Sequence, residues 1–432
     1  MSRRASPDTP LRDAKRERTI WQILGPGLIT GASDDDPSGI ATYSQVGAQL
    51  GTGMAWTMLF SFPLMAAIQE ICARIGVVTG NGIAGNIRRH YPPYLLQSTV
   101  LVLLAANIIN LGADLGAMAD SVQLLAGGPR LVYVVAFGAL CVGLEIFMRY
   151  RRYVSLLKWS TIALFAYVAT AFTVKIDWSS VAFDTFVPSF RFDSAYTLAI
   201  VAVFGTTISP YLFFWQSSEE AEDEHQNGTG PLLLTPLRAP KELRRIRIDT
   251  YLGMFFSNIV GWFIIVAVAA TLHAHGITNI ETTAQAAQAL RPIAGPSAFA
   301  LFALGVIGTG MLAVPVLAGS AAYALAEALQ WPAGLARLPL DAKAFYATIG
   351  VATGLGALMN ITPIDPIKAL FWAAVLNGVC AVPLMGITML MARNRRVMGY
   401  FTLPLSLTIA GWVATAVMAA IVVAMFATWG EG

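Results

Sequence analysis

Charge is what this sequence lacks. Lys, Arg, Asp and Glu together make up 12% of its 432 residues, where a soluble domain carries about a quarter. That deficit excludes a solvated globular surface over most of the chain. Histidine and cysteine are scarce as well, at four and three residues. Cys72, Cys141 and Cys380 stand singly inside apolar runs, without metal-ligand spacing, and read as packing residues. No nucleophile–base constellation, phosphate loop or dinucleotide fingerprint occurs, so the chain is not expected to be an enzyme or to hold a cofactor. The formal net charge of +3 comes from short polar connections and implies no nucleic-acid partner. No obligate protein partner is evident either.

What is present in quantity is apolar surface: 56% of residues are hydrophobic and the mean hydropathy is +0.62. Runs long enough to cross a bilayer, roughly 18–25 residues each, recur throughout. Eleven candidate spans lie near 20–50, 53–76, 94–125, 131–148, 153–174, 194–217, 248–273, 296–329, 342–359, 364–392 and 402–428. The chain therefore reads as an all-α, multi-pass membrane protein whose surroundings are the lipid bilayer. Its tail, 1–19, is too long and too charged for a signal peptide and reads as retained. With eleven spans, the tail, Arg88/Arg89, "RYRR" (149–152), "RAPKELRRIR" (238–247), Arg337/Lys343 and "ARNRR" (392–396) all fall on one side, while the opposite connections are poor in Lys and Arg. That asymmetry places the N-terminus in the cytoplasm and the C-terminus outside, in a cell membrane. The longest cytoplasmic connection, 217–247, opens acidic and reads as a solvated loop; Glu219, Glu220 and Glu222 offer the alternative of a weak ion-attracting vestibule.

The exception to the apolar pattern is "GASDDDPSGIA", residues 31–41, with Asp34, Asp35 and Asp36 in succession. An aspartate at the centre of a membrane helix costs about 2.5–3.5 kcal/mol, so three facing lipid would oppose insertion by roughly 7–10 kcal/mol. Pro37 removes a backbone donor and disfavours helix at Asp36, and Gly39 tolerates non-helical angles. Irregular backbone at membrane depth is tolerated only where it is buried in protein or lines a wet cavity. The expectation is two half-helices flanking a break at 34–39. A second break is expected in "VAVFGTTISPYLFFWQ" (201–216), where Pro210 frees the Thr206 carbonyl and turns Ser209 away from helix.

Paired breaks in corresponding positions mark a binding site between two repeats. The repeats would cover 20–174 (spans one to five) and 194–392 (spans six to ten), inverted because each has an odd number of spans; 402–428 is an additional eleventh. The breaks offer carboxylates, the hydroxyls of Ser38, Thr206, Thr207 and Ser209, and freed carbonyls, with no Met, Cys or His. Oxygen donors suit hard cations such as Mg2+, Mn2+ and Ca2+.

The residues around these breaks carry a resemblance. "GPGLITGASDDDPSGIATYSQVGAQLG" (25–51) resembles the first span of the Nramp family of divalent-metal transporters, "ARIGVVTG" (73–80) the end of its second span, "RIDTYLGMFFSN" (247–258) its seventh, and "RRVMGYF" (395–401) the segment before its last. The resemblance runs in register along nearly the whole chain and implies a LeuT-type inverted 5+5 repeat with helices one and six broken. It also implies a metal site at Asp36, Gly39, Thr206 and Ser209, with Asp35 and Ser38 alongside.

The departures are as informative. Asp36 and Pro37 match the family's Asp-Pro, but Ser38 stands for its Gly and Gly39 for its metal-binding Asn. In the sixth span Thr206, Ser209 and Tyr211 stand where the family has Ala, Met and His. "NIINLGAD" (107–114) lacks the family's Asp-x-x-Glu proton path and offers Asn107, Asn110 and Asp114 instead. This combination resembles the divergent Nramp-related branch associated with magnesium transport. The function so implied is secondary transport of Mg2+, with Mn2+ also carried and without proton coupling. A proton-coupled Mn2+/Fe2+ importer and a Na+-coupled small-solute symporter are the alternatives.

Further intramembrane polar groups are weaker candidates for the ion pathway: Asp34, Asn110, Asp114, Thr207 and Asn377. Asp114 reads equally as a pathway residue or a structural hydrogen-bonding group, and Asn377 as a helix–helix contact. Glu70 and Arg74 are spaced for an i,i+4 pair. Glu145 and Lys158 read as snorkelling helix-end residues. His273 and His275 read as a solvated external pair.

Overall fold

A computed structural model of the chain describes residues 26–148, 164–362 and 365–429, and among them there is no strand. The first span is divided into α1 (Pro26–Asp34) and α2 (Pro37–Leu50). Then come α3 (Trp56–Thr79), α4 (Ile83–His90), α5 (Pro93–Ala126) and α6 (Arg130–Phe147). Next are α7 (Phe165–Thr173), α8 (Trp178–Phe186), and the divided sixth span, α9 (Ser194–Thr207) and α10 (Pro210–Gln226). The remainder is α11 (Ala239–Thr271), α12 (Thr283–Gln288), α13 (Arg291–Ala294), α14 (Ala298–Leu329), α15 (Lys343–Met359), α16 (Pro366–Arg393), α17 (Arg395–Met398) and α18 (Leu405–Ala427).

Among the described residues, eight helical segments are long and apolar enough to cross a membrane, the divided α9–α10 counting as one. These correspond to eight of the eleven expected spans. The first is the broken α1–α2, the ninth is the shorter α15, and the fifth is described only in its second half, by α7; Lys158 and the tail lie outside the described residues. The all-helical, broken-helix expectation is borne out.

Both breaks are short, and the first is tighter than the expected 34–39. Only Asp35 and Asp36 separate α1 from α2, and only Ile208 and Ser209 separate α9 from α10. Proline explains the economy: Pro37 and Pro210 each occupy the first helical position, where a missing N–H costs nothing and the fixed φ suits a helix. The residue before each is extended, Asp36 at ψ 171° and Ser209 at ψ 128°. Ser38 and Gly39 are therefore helical.

Glycine lets the half-helices reach their neighbours. A Cβ at Gly31 would collide with the backbone of Gly253, so α1 and α11 touch main chain to main chain; Gly205 meets Ala374 and Gly378 in the same way, joining α9 to α16. The start of α1 is held by Asp249 of α11, whose Oδ2 accepts from the Gly27 amide at 2.8 Å. This carboxylate satisfies one of the orphan donors of a helix start and favours its positive end. At the far end of α3, Arg74 and Glu70 form the expected i,i+4 pair at 2.7 Å.

Two expectations need correction. The connection 217–247 is not a solvated loop: α10 continues to Gln226 and α11 begins at Ala239. Its acidic residues are largely buried because each finds partners. Glu220 pairs with Arg245, Glu224 with Arg238, and Glu222 accepts from Tyr323 and from the amides of Leu335 and Ala336. With those carboxylates engaged, the ion-attracting vestibule is not there either. Glu145 does not snorkel; it is 6% exposed, one turn past Cys141 on the face of α6 that Val134 and Gly138 also bury. His273 and His275 are exposed, as expected, and His273 Nδ1 also lies 2.7 Å from the Ala48 carbonyl, which links the ends of α2 and α11.

Candidate metal site

Asp36 caps α2. Its Oδ1 accepts from the Gly39 amide at 2.7 Å and from Ser38 Oγ at 2.6 Å. Ser38 Oγ in turn lies 3.3 Å from Thr206 Oγ1. Since the Ser38 proton is directed at Asp36, Thr206 is the donor to Ser38. A line of oxygens therefore crosses from the second break to the first: Thr206, Ser38, Asp36. All three residues are buried.

The three aspartates do not form one cluster. Asp34 and Asp35 turn toward α11, where Ser257 Oγ lies 2.7 Å from Asp34 Oδ2 and 3.1 Å from Asp35 Oδ1. One hydroxyl proton cannot serve both carboxylates. Asp34 Oδ1 is buried without a hydrogen bond, and so is the Tyr43 hydroxyl, which sits within electrostatic reach of all three aspartates.

The third wall is α5. Asn110 and Asp114, four residues apart and so on one helix face, are both fully buried. Asn110 lies within polar reach of Asp36 and Asp114 within its electrostatic field. Yet neither amide atom of Asn110 and neither carboxylate oxygen of Asp114 has a hydrogen-bond partner. A buried carboxyl group needs a compensating charge, a donor or a proton of its own. The four polar atoms of Asn110 and Asp114 thus form a buried polar wall beside Asp36.

The remaining sequence candidates are placed as follows. Gly39 is closely surrounded: a Cβ there would stand 3.4 Å from the Asp34 carbonyl, Thr206 Oγ1 and Tyr43 Cε2, the near limit of ordinary contact. Ser209 Oγ folds back onto the carbonyls of Gly205 (2.9 Å) and Thr206 (2.8 Å), so the carbonyl freed by Pro210 is taken up by this side chain. Thr207 likewise bonds back to Val203 and Phe204, outside the group around Asp36. Asn107 donates to the Leu317 carbonyl at 3.0 Å and is structural. Asn377 is buried on α16 with Nδ2 unpartnered, next to the Gly378 that α9 packs against.

Sequence reasoning missed Ser257, Tyr43 and Met118. Ser257 had a signal: it is the middle of a small-residue stripe, Gly253, Ser257, Gly261, at the four-residue spacing that admits a neighbouring helix. Met118 had none, because it lies outside both breaks. A side chain built on Gly310 would meet the Met118 sulfur at 2.5 Å and Pro37 Cγ at 3.3 Å, so α5 brings a thioether alongside the proline that follows Asp36. Among the described residues, no three His, Cys, Asp or Glu side chains converge as a ready metal cage. An ion here would need hydroxyl, amide or water oxygens as well as carboxylates.

Two broken helices meeting at buried oxygens inside a bundle of long apolar helices define the class: a multi-pass membrane protein with the broken-helix architecture of secondary transporters. The Nramp family profile, "Natural resistance-associated macrophage protein-like", matches residues 27–428, and the chain belongs to that family. It is 26% identical over 413 residues to the divalent metal cation transporter MntH of Deinococcus radiodurans, covering 94% of this chain and 89% of that one. It is 25% identical over 300 residues to the MntH of Aeromonas hydrophila, covering 67% and 69%. Among solved structures it is similar to the manganese transporter of Eremococcus coleocola, with a TM-score of 0.73 at 15% identity over 95% of this chain and 88% of that one. That likeness concerns the fold.

Proposed function

We propose that the chain carries divalent metal cations across the bilayer by alternating access, with Mg2+ the first substrate and Mn2+ also carried, and without moving protons. The observation that carries this reading is the polar wall of Asn110 and Asp114, whose four polar atoms are buried and unpartnered beside Asp36. Its donors are oxygens apart from one amide nitrogen, and none belongs to the soft ligands that select later transition metals. Among the described residues no three charged or imidazole ligands converge, which suits an ion that keeps part of its water, as Mg2+ does. In this reading Asp36, Ser38, Thr206, Asn110 and Asp114 surround the ion; Asp35 and Asp34 shape the field from the α11 side; Gly39 and Ser209 keep the site free of larger side chains. The repeats are 20–174 and 194–392, and the excess of Lys and Arg on one side puts the N-terminus in the cytoplasm.

The test is uptake into proteoliposomes offered Mg2+, Mn2+, Cd2+ or a mixture of amino acids, with Asp36→Ala alongside. Saturable Mg2+ uptake lost in the variant is expected. Uptake of amino acids, or Mg2+ uptake untouched by the variant, overturns the reading. One observation favours a second reading: the Met118 sulfur beside Pro37 would supply a soft donor and shift preference toward Mn2+.

A further inference from the structure

A groove of about 670 Å3 runs along the flank of the bundle, between the last turns of α14 and the first three turns of α5. Its walls are apolar, with Leu96, Val100 and Leu104 on α5 facing Leu325 and Leu329 on α14. One end is closed by Arg88. Residues 93–104 of α5 line its length, which at 1.5 Å per residue is about 18 Å. That is close to one leaflet of a hydrocarbon core about 30 Å thick.

The closed end is basic. Arg88, Arg89 and His90 form the last turn of α4, and all three are exposed. Arg88 donates to the carbonyl of Ala328, which spends one of its five N–H groups and fixes the guanidinium over the groove mouth. The acidic neighbour, Glu327, accepts from the Gly82 and Gly85 amides and from Ser218, and lies within electrostatic reach of Arg89. Tyr94, 71% exposed, stands where an aromatic side chain marks a membrane interface. Basic pockets between membrane helices at this depth recognise anionic headgroups.

We propose that this groove seats one anionic phospholipid, with its phosphate on Arg88 and Arg89 and one acyl chain lying between α5 and α14. Charge complementarity selects the headgroup; the leaflet-length apolar trough takes the chain. The seat is independent of the metal site, but it joins α4 to α14 at the junction where Ser217 and Ser218 of α10 also bond. An occupant therefore braces the middle of the half-helix whose first turn adjoins the second break.

Native mass spectrometry of the purified full chain, titrated with phosphatidylglycerol or phosphatidylcholine, tests this directly. One phosphatidylglycerol should be retained in preference to phosphatidylcholine, and Arg88→Gln with Arg89→Gln should lower that retention roughly tenfold. Val100→Trp, which fills the trough without touching the charges, should lower retention of both lipids. The melting temperature in phosphatidylcholine serves as the folding control, and inorganic phosphate at millimolar concentration should not displace the lipid. Equal retention of the two lipids, or undiminished phosphatidylglycerol binding by a folded double variant, overturns the proposal. A groove covered by a second copy of the chain, seen as a dimer that excludes lipid, overturns it too.

Discussion

The Tyr211 hydroxyl donates to the Ser33 carbonyl at 3.0 Å, so the first turn of α10 is tied to the last turn of α1. Carbonyls at a helix end have no partner within the helix, and here the opposite broken span supplies one. Tyr211 stands where the resemblance to the Nramp family places a histidine. A titratable ring in that position is replaced by a phenol that bridges the two breaks. Ser320 of α14 bonds the Tyr211 carbonyl at 2.9 Å, which fixes the same residue from behind. The two breaks are thus one mechanical unit, joined by Thr206–Ser38 on one side and Tyr211–Ser33 on the other.

Asp36→Ala is expected to abolish metal uptake, and Asp34→Ala to weaken it. Asp36 holds Ser38 and Gly39 in place and faces Asn110, whereas Asp34 faces Ser257 on α11. Flux measurements with both variants, normalised to protein in the membrane, decide the matter. Equal and severe loss from the two would favour a shared carboxylate cage over a single principal ligand.

Selectivity should follow the donor atoms. Gly39→Asn with Ser209→Met restores an amide oxygen and a thioether, and the space around Gly39 accepts a Cβ at ordinary contact distance. Calorimetric titration should show Mn2+ and Cd2+ binding strengthened relative to Mg2+. The reverse change, Met118→Leu, should weaken Cd2+ and leave Mg2+ unaltered if the sulfur beside Pro37 reaches the ion. Unmoved affinities in both variants would place the selectivity elsewhere.

How much of this was legible in the sequence follows from how local each feature is. Pro37 and Pro210 act on the residue before them and on the carbonyl four back, so both breaks could be read from short windows. The eleven spans follow from hydropathy alone. What escaped was set by other helices. Ser257 reaches Asp34 across 223 positions, and Glu220 reaches Arg245 across 25. An acidic run read in isolation looks solvated; its burial appears only once Arg238, Arg245 and Tyr323 are brought to it. Met118 illustrates the same limit from the other side, since a methionine on an apolar helix carries no local mark of what it faces.

The buried pair of Glu220 and Arg245 carries a stability prediction. The Glu220 side chain is 1% exposed and that of Arg245 19%. Removing one partner of a buried pair leaves an uncompensated charge and costs about 3–5 kcal/mol, whereas replacing both is close to neutral. Arg245→Met should therefore lower the melting temperature markedly. Glu220→Gln added to it should recover most of the loss, measured by thermal unfolding in detergent. A double variant no more stable than the single one would mean that the Arg245 contact to Glu242, at 2.9 Å, carries the effect.

Uptake should proceed without protons entering with the metal. Coupling needs titratable groups along the path, and this path offers few. A phenol ionises near pH 10 in water, and the Tyr211 hydroxyl is engaged as a donor to the Ser33 carbonyl. Asn107 and Asn110 do not titrate. Asp36 faces the cation that would keep it ionised. Asp34 and Asp35 are turned to Ser257 on α11, which leaves Asp114, a buried carboxyl group without a hydrogen-bond partner, as the first candidate to carry a proton. Proteoliposomes containing a pH-sensitive dye should show metal entry without acidification, and an imposed proton gradient should not drive accumulation. Metal-dependent acidification abolished by Asp114→Asn would show that one aspartate suffices, and would restore the proton-coupled reading.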